Sequence, residues 1–421
     1  MKKLKVLWFS NTPALGTEYL KIGSAGGGWL TSLNKELQEH VELHVAFYYA
    51  KYSPKFYYEK TYYYPICKQN WKLEILKRLL YNPFVDKKDM QIYLSLIKQI
   101  QPDIIHIHGT ENPFSCIIDE VEIPIVVSVQ GNISVILKKF CSGIEKEYLS
   151  VNNHNIKNIK SFILSGSFNK DYKLFVKMQK REERNLKQCT NIIGRTDWDR
   201  RITSILSPKR KYYHNDEILR DNFYNKKWTC PTNTNKLILH TNISNSPYKG
   251  YETICEALYE LNKTDKQNIE WRVAGISESD LIVKVVRKKL KNKYPNSGLV
   301  FLGNLNEKQL IEKLKEAYIY IMPSHIENSS NSLCEAMILG MPCIATYAGG
   351  TASLMKDGEE GILIQDGDPW SMAGTILELY NDPAKAVEYG NNARKKALIR
   401  HDKNKIVNDL LEIYQNITLI N

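Results

Sequence analysis

No two cysteines in this chain form a C-x-x-C pair. All eight are scattered (67, 116, 141, 189, 230, 255, 334 and 343), which argues against zinc sites and disulfide frameworks and suits a reducing compartment. No apolar run approaches the roughly 20 residues that cross a bilayer as a helix. The stretch Met1–Phe9 starts basic, but its apolar part is short and is cut off by Ser10-Asn11-Thr12-Pro13, unlike a secretory leader. No G-x-G-x-x-G is followed by an acid about 20 residues on, so a nicotinamide fingerprint is lacking. The basic residues match no nucleic-acid recognition motif. These absences predict a cytoplasmic protein without disulfides and without a nucleic-acid partner.

What is present is a globular composition of 421 residues, 43% hydrophobic and 25% charged, too long for one ordinary core and therefore expected as two domains. The charge is uneven. Residues 1–230 hold 36 Lys and Arg against 23 Asp and Glu, whereas residues 231–421 hold 22 against 23. All of the excess lies in the first part, which points to an acidic partner there, an anionic membrane surface or a polyphosphate-bearing substrate. The tyrosine-rich stretch Phe47–Pro65 and the basic amphipathic segment Trp71–Leu80 suit a membrane interface. A peripheral place on the inner face of the plasma membrane is therefore weighed beside simple packing of that segment on its own domain.

Short β-branched segments alternate with helical patterns throughout. In the first part they are Leu4–Phe9, Val41–Phe47, Asp103–His108, Ile123–Val129 and Asn191–Gly194. In the second they are Lys236–Thr241, Glu270–Ala274, Gly298–Leu302, Ala317–Met322 and Pro342–Thr346. Strands that each lead into a helix imply parallel sheets covered on both faces, an α/β protein of two Rossmann-like, doubly wound domains. The turn-rich stretch Asn225–Asn235 is the natural boundary, giving residues 1–230 and 231–402. Ligand crevices of such sheets lie at the carboxyl ends of the strands, here in a cleft between the domains. The last helix, near Asn404–Tyr414, is amphipathic and fits either domain.

The motifs follow the strands. Gly23-Ser24-Ala25-Gly26-Gly27-Gly28-Trp29 opens a helix after the first strand, a place where backbone approaches a phosphate. Lys249 lies in Pro247-Tyr248-Lys249-Gly250 at another strand end, where an ammonium neutralises a leaving diphosphate. Glu327 and Glu335 stand eight apart in Ser324–Met337. Glu327 reads as a loop acid and Glu335 as the first turn of a helix ending at Gly340. Ser332-x-x-Glu335 fits a capping box. His106 and His108 share one strand face, with no Cys or His partner at zinc spacing. Asp368 before Pro369 fits a helix N-cap, and Asp197-Trp198-Asp199 lies among Arg195, Arg200 and Arg201, where ion pairing is expected. No catalytic metal is predicted.

Together these segments resemble family-four retaining glycosyltransferases of the GT-B fold, especially those of bacterial capsule and exopolysaccharide biosynthesis. The resemblance covers nearly the whole chain. It is most specific at Glu327–Gly340, Gly349-Gly350-Thr351, Tyr248-Lys249-Gly250, Ile193–Asp199 and Tyr212–Arg220. It implies a nucleotide-diphosphate sugar, uridine favoured over guanosine, held mainly by the second domain, with no cofactor. Glu335 would hold the ribose and Glu327 the transferred sugar. The Lys249 ammonium, with Asn242, Asn331 and the amides of Ser332 and Leu333, would hold the diphosphate, closed over by Gly26, Gly27 and Gly28. His108, Gln130 and Arg195 would lie on the acceptor side, the acceptor being a glycan or a lipid-pyrophosphate-linked glycan. The resemblance also implies that residues 403–421 run back onto the first domain.

Three departures stand out. The family often has a histidine after the strand Ile123–Val129, where this chain has Gln130, which hydrogen-bonds but is no base. The usual phosphate arginine is replaced by Asn242-Ile243-Ser244, and the acid after Gly-Gly by Ala352-Ser353. The expected activity is a metal-independent, retaining transfer with Glu327, Lys249 and Gln130 at the reacting centre. Two other readings stay open: a sugar-nucleotide epimerase of the same fold, and a non-catalytic sugar-nucleotide-binding scaffold.

Overall fold

The computed structural model describes residues 3–22, 28–67, 87–150, 167–231, 236–264 and 268–419. The expected membrane segment Trp71–Leu80 lies outside them. The chain divides into two compact units. One comprises Met1–Ser134, Leu174–Arg220 and His401–Asn421, the other Val135–Lys173 and Asp221–Arg400.

The first unit is built on strands β1 (Lys5–Ser10), β2 (Glu42–Tyr49), β3 (Phe56–Tyr58), β4 (Thr61–Cys67), β5 (Ile104–His108), β6 (Ile125–Ser128), β7 (Asn191–Gly194) and β8 (Lys211–His214). Their order in the sheet is β3-β4-β2-β1-β5-β6-β7-β8. All neighbours are parallel except β3 and β4. Period two explains why β1 is apolar from Val6 to Phe9: Val6 and Trp8 enter one core layer, and Leu7 and Phe9 enter the other. A strand covered on both faces reads as a continuous apolar run. Ile406, Val407, Leu410 and Tyr414 of the C-terminal helix Lys403–Thr418 complete the first layer. The Tyr414 hydroxyl meets Trp8 Nε1 at 3.1 Å and His106 Nδ1 at 2.6 Å.

The second unit has a six-stranded parallel sheet of β9 (Leu237–Asn242), β10 (Ile269–Ala274), β11 (Leu299–Gly303), β12 (Ile319–Met322), β13 (Cys343–Thr346) and β14 (Ile362–Ile364), ordered β11-β10-β9-β12-β13-β14. The chain winds outward from β9 to β11, then crosses to the other side of β9 and winds out again. Among the described residues no helix is long and apolar enough to cross a membrane.

Four strands escape the sequence pattern. β3 and β4 lie within the tyrosine-rich stretch, whose rings stack on one another at this sheet edge (Tyr19 on Phe56, Phe56 on Tyr63). β8 and β14 are short edge strands.

The domain limits also differ from those read in the sequence. The described residues 135–150 and 167–173 cluster with the second unit although they lie far upstream of residue 231. Residues 221–230 do so too, because Trp228 donates its indole N–H to Ala317 O at 2.8 Å and its backbone N–H to Leu339 O at 2.7 Å. Arg394 binds the carbonyls of Tyr224 and Lys226 at 3.1 and 2.9 Å. A stretch without periodicity is thus anchored by one indole and one guanidinium.

Candidate active site

In a doubly wound sheet the crevice for a ligand opens at the carboxyl ends of the two strands where the winding reverses. In the second unit those strands are β9 and β12, which are adjacent. The turn Pro247–Lys249 follows β9, and the loop 323–330 follows β12. Two chemically distinct side chains meet there. Lys249 Nζ lies 2.5 Å from Glu327 Oε1, and the Ser324 hydroxyl donates to the same oxygen at 2.9 Å. Lys249 keeps 21% and Glu327 15% of its side-chain surface exposed, so the pair is shielded but reachable. Burial works against the Lys249 charge, yet the Glu327 carboxylate outweighs it and lifts the ammonium above its ordinary value.

The loop that carries Glu327 is pinned on three sides. His325 N–H donates to Tyr248 O at 2.9 Å, Thr346 Oγ1 to Ser324 O at 2.5 Å, and Gly350 N–H to Glu327 O at 2.9 Å. Two glycines make this closeness achievable. Gly250 adopts φ +74°, and a Cβ there would stand 2.1 Å from Pro323 O. Gly349 adopts φ +58°, and a Cβ there would stand 1.9 Å from Glu327 O. A side chain at either position would clash and would also strain the backbone. The Tyr-Lys-Gly and Gly-Gly motifs are therefore the two faces of a mould around the Glu327 loop.

The helix Asn331–Leu339 starts two residues earlier than a capping box at Ser332 requires. Its N-cap is Ser330, which makes no side-chain cap hydrogen bond, and its first turn holds no acid. Ser332 is inside the first turn, 3.2 Å from the Ser330 hydroxyl, and Glu335 is buried in the second turn. The capping-box reading of Ser332 and Glu335 is therefore corrected. What remains is a helix N-terminus with amides at Asn331, Ser332 and Leu333, and Gly340 closing the far end at φ +85°.

Asn242 ends β9, with its side-chain Oδ1 2.8 Å from His240 Nε2. Asp368 caps the Pro369–Asn381 helix by accepting from Ser371 N–H at 2.9 Å. Asp366 instead meets His325 Nδ1 and Lys139 Nζ, both at 3.3 Å.

In the first unit, Gly26 and Gly27 lie outside the described residues, and Gly28 begins the helix Gly28–Leu37. Gln130 is partly buried just beyond β6. His108 is buried at the end of β5, 4.6 Å from the Trp8 ring and 5.8 Å from the Trp29 ring, and among the described residues neither ring nitrogen has a hydrogen-bond partner. Burial, then His106 and Arg195, hold it well below the ordinary histidine value, so it is a neutral ring. The Arg195 guanidinium lies 4.1 Å above Trp29 and 3.5 Å from Glu217. Asp197 pairs with Arg200 at 2.9 Å, as expected. Asp199 instead accepts from Arg195 N–H and the Tyr212 hydroxyl at 2.9 and 2.7 Å.

Sequence reasoning missed Ser324, His325 and Glu252. His325 Nε2 lies 2.5 Å from Glu252 Oε1, and the two side chains are almost wholly buried. Ser324 and His325 stand inside the quoted motif, but Glu252 lies 73 residues away. No local spacing announces that contact.

Residues 224–396 match the family model described as glycosyl transferases group 1. An uncharacterized glycosyltransferase of Methanocaldococcus jannaschii is 29% identical over 171 residues. That match spans 40% of this chain and 43% of the relative, under half the length of either. Among solved structures, sucrose-phosphate synthase from Thermosynechococcus elongatus superposes with a TM-score of 0.73 at 13% identity, over 100% of both chains. Anabaena HepE in complex with UDP and glucose superposes with a TM-score of 0.65 at 14% identity, over 98% of this chain and 100% of its own. This chain thus has the GT-B fold, and its residues 224–396 match the model of the glycosyl transferases group 1 family.

Proposed function

We propose that the protein transfers a sugar, with retention and without a metal, from a nucleotide-diphosphate sugar to a hydroxyl of a glycan or lipid-linked glycan. The observation that carries this reading is the Lys249–Glu327 contact at the β9/β12 switch point. A cation and a carboxylate held side by side suit a substrate that joins a diphosphate to a polyol. Lys249 and the amides of Asn331, Ser332 and Leu333 take up charge as the diphosphate leaves. Glu327, freed in part from Lys249, accepts hydroxyls of the transferred sugar, and Glu335 those of the ribose. The acceptor hydroxyl enters on the face the diphosphate leaves, and the departing phosphate oxygen takes its proton. Neutral His108 and Gln130 have no part in that proton transfer. UDP-sugars are the expected donors, in line with the UDP and glucose bound by Anabaena HepE. The excess of basic residues before residue 231 suits an anionic, membrane-borne acceptor in surface-polysaccharide synthesis.

The test is a thermal-shift panel of UDP-glucose, UDP-galactose, UDP-N-acetylglucosamine and GDP-mannose, followed by turnover of whichever binds. At a ligand concentration of 100 times Kd the native state gains about 2.7 kcal/mol, an easily read shift. Glu327→Ala should stay folded and lose turnover. No shift with any sugar nucleotide, or undiminished turnover by Glu327→Ala, would refute the reading. Donor binding with neither hydrolysis nor transfer would leave a sugar-nucleotide scaffold.

A further inference from the structure

The stretch 135–149 precedes the second unit's own sheet by about a hundred residues in sequence, yet it packs onto that unit at a defined place. Phe140 is buried with its ring 6.0 Å from that of Tyr248. Lys289 Nζ reaches Gly143 O at 2.5 Å. Gly143 has φ +74°, and a Cβ there would stand 2.0 Å from Glu252 Oε1 and 2.7 Å from His325 Nε2. The stretch therefore lies directly against the Glu252–His325 contact. Its Lys139 pairs with Asp366 on the other side of the same imidazole.

The His325 ring is held between two acids. Nε2 faces Glu252 Oε1 at 2.5 Å and Nδ1 faces Asp366 Oδ2 at 3.3 Å. A neutral imidazole has one N–H to donate, and two carboxylates need two. Both contacts are satisfied only by the imidazolium. The loop backbone itself does not need the ring, since amide and hydroxyl bonds at Tyr248, Thr346 and Gly350 already fix it. What the ring adds is a pair of bonds from the loop to Glu252 and Asp366, the two acids that Gly143 and Lys139 of the 135–149 stretch lie against. The loop carries Glu327 two residues further on.

We propose that His325 is a positioning residue for the sugar transfer: its imidazolium clamps Glu252 and Asp366 under the Glu327 loop and locks residues 135–149 against it. The proposal rests on the reading of Lys249 and Glu327 given above. The charged groups around the ring are Glu252 from the helix Tyr251–Leu261 and Asp366 beyond β14. Lys139 lies on Asp366 and Lys289 on Gly143 O, with Glu256 interacting with Lys289, Glu252 and Glu145. Burial opposes the His325 charge, but Glu252 and then Asp366 outweigh it and raise the ring above its ordinary value. While both acids are ionised, the clamp is therefore closed below that raised value and opens as pH rises through it.

The experiment is the pH–rate profile of kcat, with the sugar nucleotide that binds in the panel above, for wild type, His325→Gln and Asp366→Asn. Wild type should lose activity on an alkaline limb. Asp366→Asn, which removes one stabilising carboxylate at a partly exposed position, should move that limb to lower pH. His325→Gln should lower kcat at least tenfold, change KM less, and show no such limb. A wild-type limb retained in His325→Gln would overturn the proposal. So would an unmoved limb in Asp366→Asn, which decides the matter even where His325→Gln does not fold. Should wild type turn over, Glu327→Ala be inactive and the Asp366→Asn limb stay in place, the positioning role falls and the transferase reading stands. Absence of wild-type turnover with every donor fails the transferase reading first, and the positioning role with it.

Discussion

Alanine at Gly349 tests the joint that holds the Glu327 loop, and two other glycines calibrate it. Gly374 lies in the helix Pro369–Asn381 with nothing within 4 Å of an added Cβ, so alanine there should stabilise by roughly 0.5–1 kcal/mol. Gly303 also has open space but φ +62°. The left-handed backbone costs a side chain about 1–2 kcal/mol, and the stiffer unfolded chain returns about 0.4–1 kcal/mol. A net loss near 1 kcal/mol is expected. Gly349 carries the same strain at φ +58° and adds a Cβ 1.9 Å from Glu327 O, well inside contact distance. Relief moves the carbonyl by more than an ångström and breaks its bond from Gly350 N–H, worth about 1 kcal/mol. The total should be about 2 kcal/mol or more, read as a urea midpoint alongside the other two variants. Displacing Glu327 by ~1 Å should also cut donor turnover on the order of 100-fold. A Gly349→Ala midpoint equal to that of Gly303→Ala, with full turnover, would refute the argument.

Four further outcomes follow from single contacts. Tyr414→Phe removes the hydroxyl shared by Trp8 and His106, and the buried indole N–H left without its partner should cost about 1–3 kcal/mol in urea unfolding. Asp368→Ala loses a real N-cap bond and about 1 kcal/mol, whereas Ser330→Ala, whose side chain makes no cap bond, should leave the midpoint nearly unchanged. Burial pushes His106 down to about 3 and His240 down to about 4. Each binds a proton in the unfolded chain near pH 6.5 before it does so in the folded one, so stability is full above that pH and falls below it. Between pH 6.5 and 5 each should cost roughly 2 kcal/mol, seen as a falling urea midpoint. Lys249→Met should weaken UDP binding in calorimetry by at least tenfold, and equal affinity would remove Lys249 from the diphosphate site.

Much of the fold is legible locally. The strands β1, β2, β5, β6, β7, β9, β10, β11, β12 and β13 announce themselves because strands covered on both faces read as largely apolar runs. β3 and β4 are not legible in that way. Their tyrosines alternate between exposure and burial, and only neighbouring rings distinguish them from a polar loop. At the site, Lys249 and Glu327 could be singled out from their motifs. The capping box at Ser332 could not be judged, because Ser330, Ser332 and Asn331 all suit an N-cap. The backbone conformation at Ser330 decided among them.

The sequence by itself determined two Rossmann-like sheets, the strand-end loops that carry Lys249 and Glu327, and the glycines those loops need. Each is written in a short window, by a short continuous apolar run or by a residue type that readily tolerates a backbone conformation. The tertiary structure decided that Lys249 and Glu327 touch, and that Gly349 rather than a helix cap secures the loop. It also decided that residues 135–150 and 167–173 belong with the second unit, and that His325 meets Glu252 and Asp366 from 73 and 41 residues away. Those facts depend on which strand ends become neighbours, and strand order is fixed by packing across the whole sheet rather than by any stretch of residues.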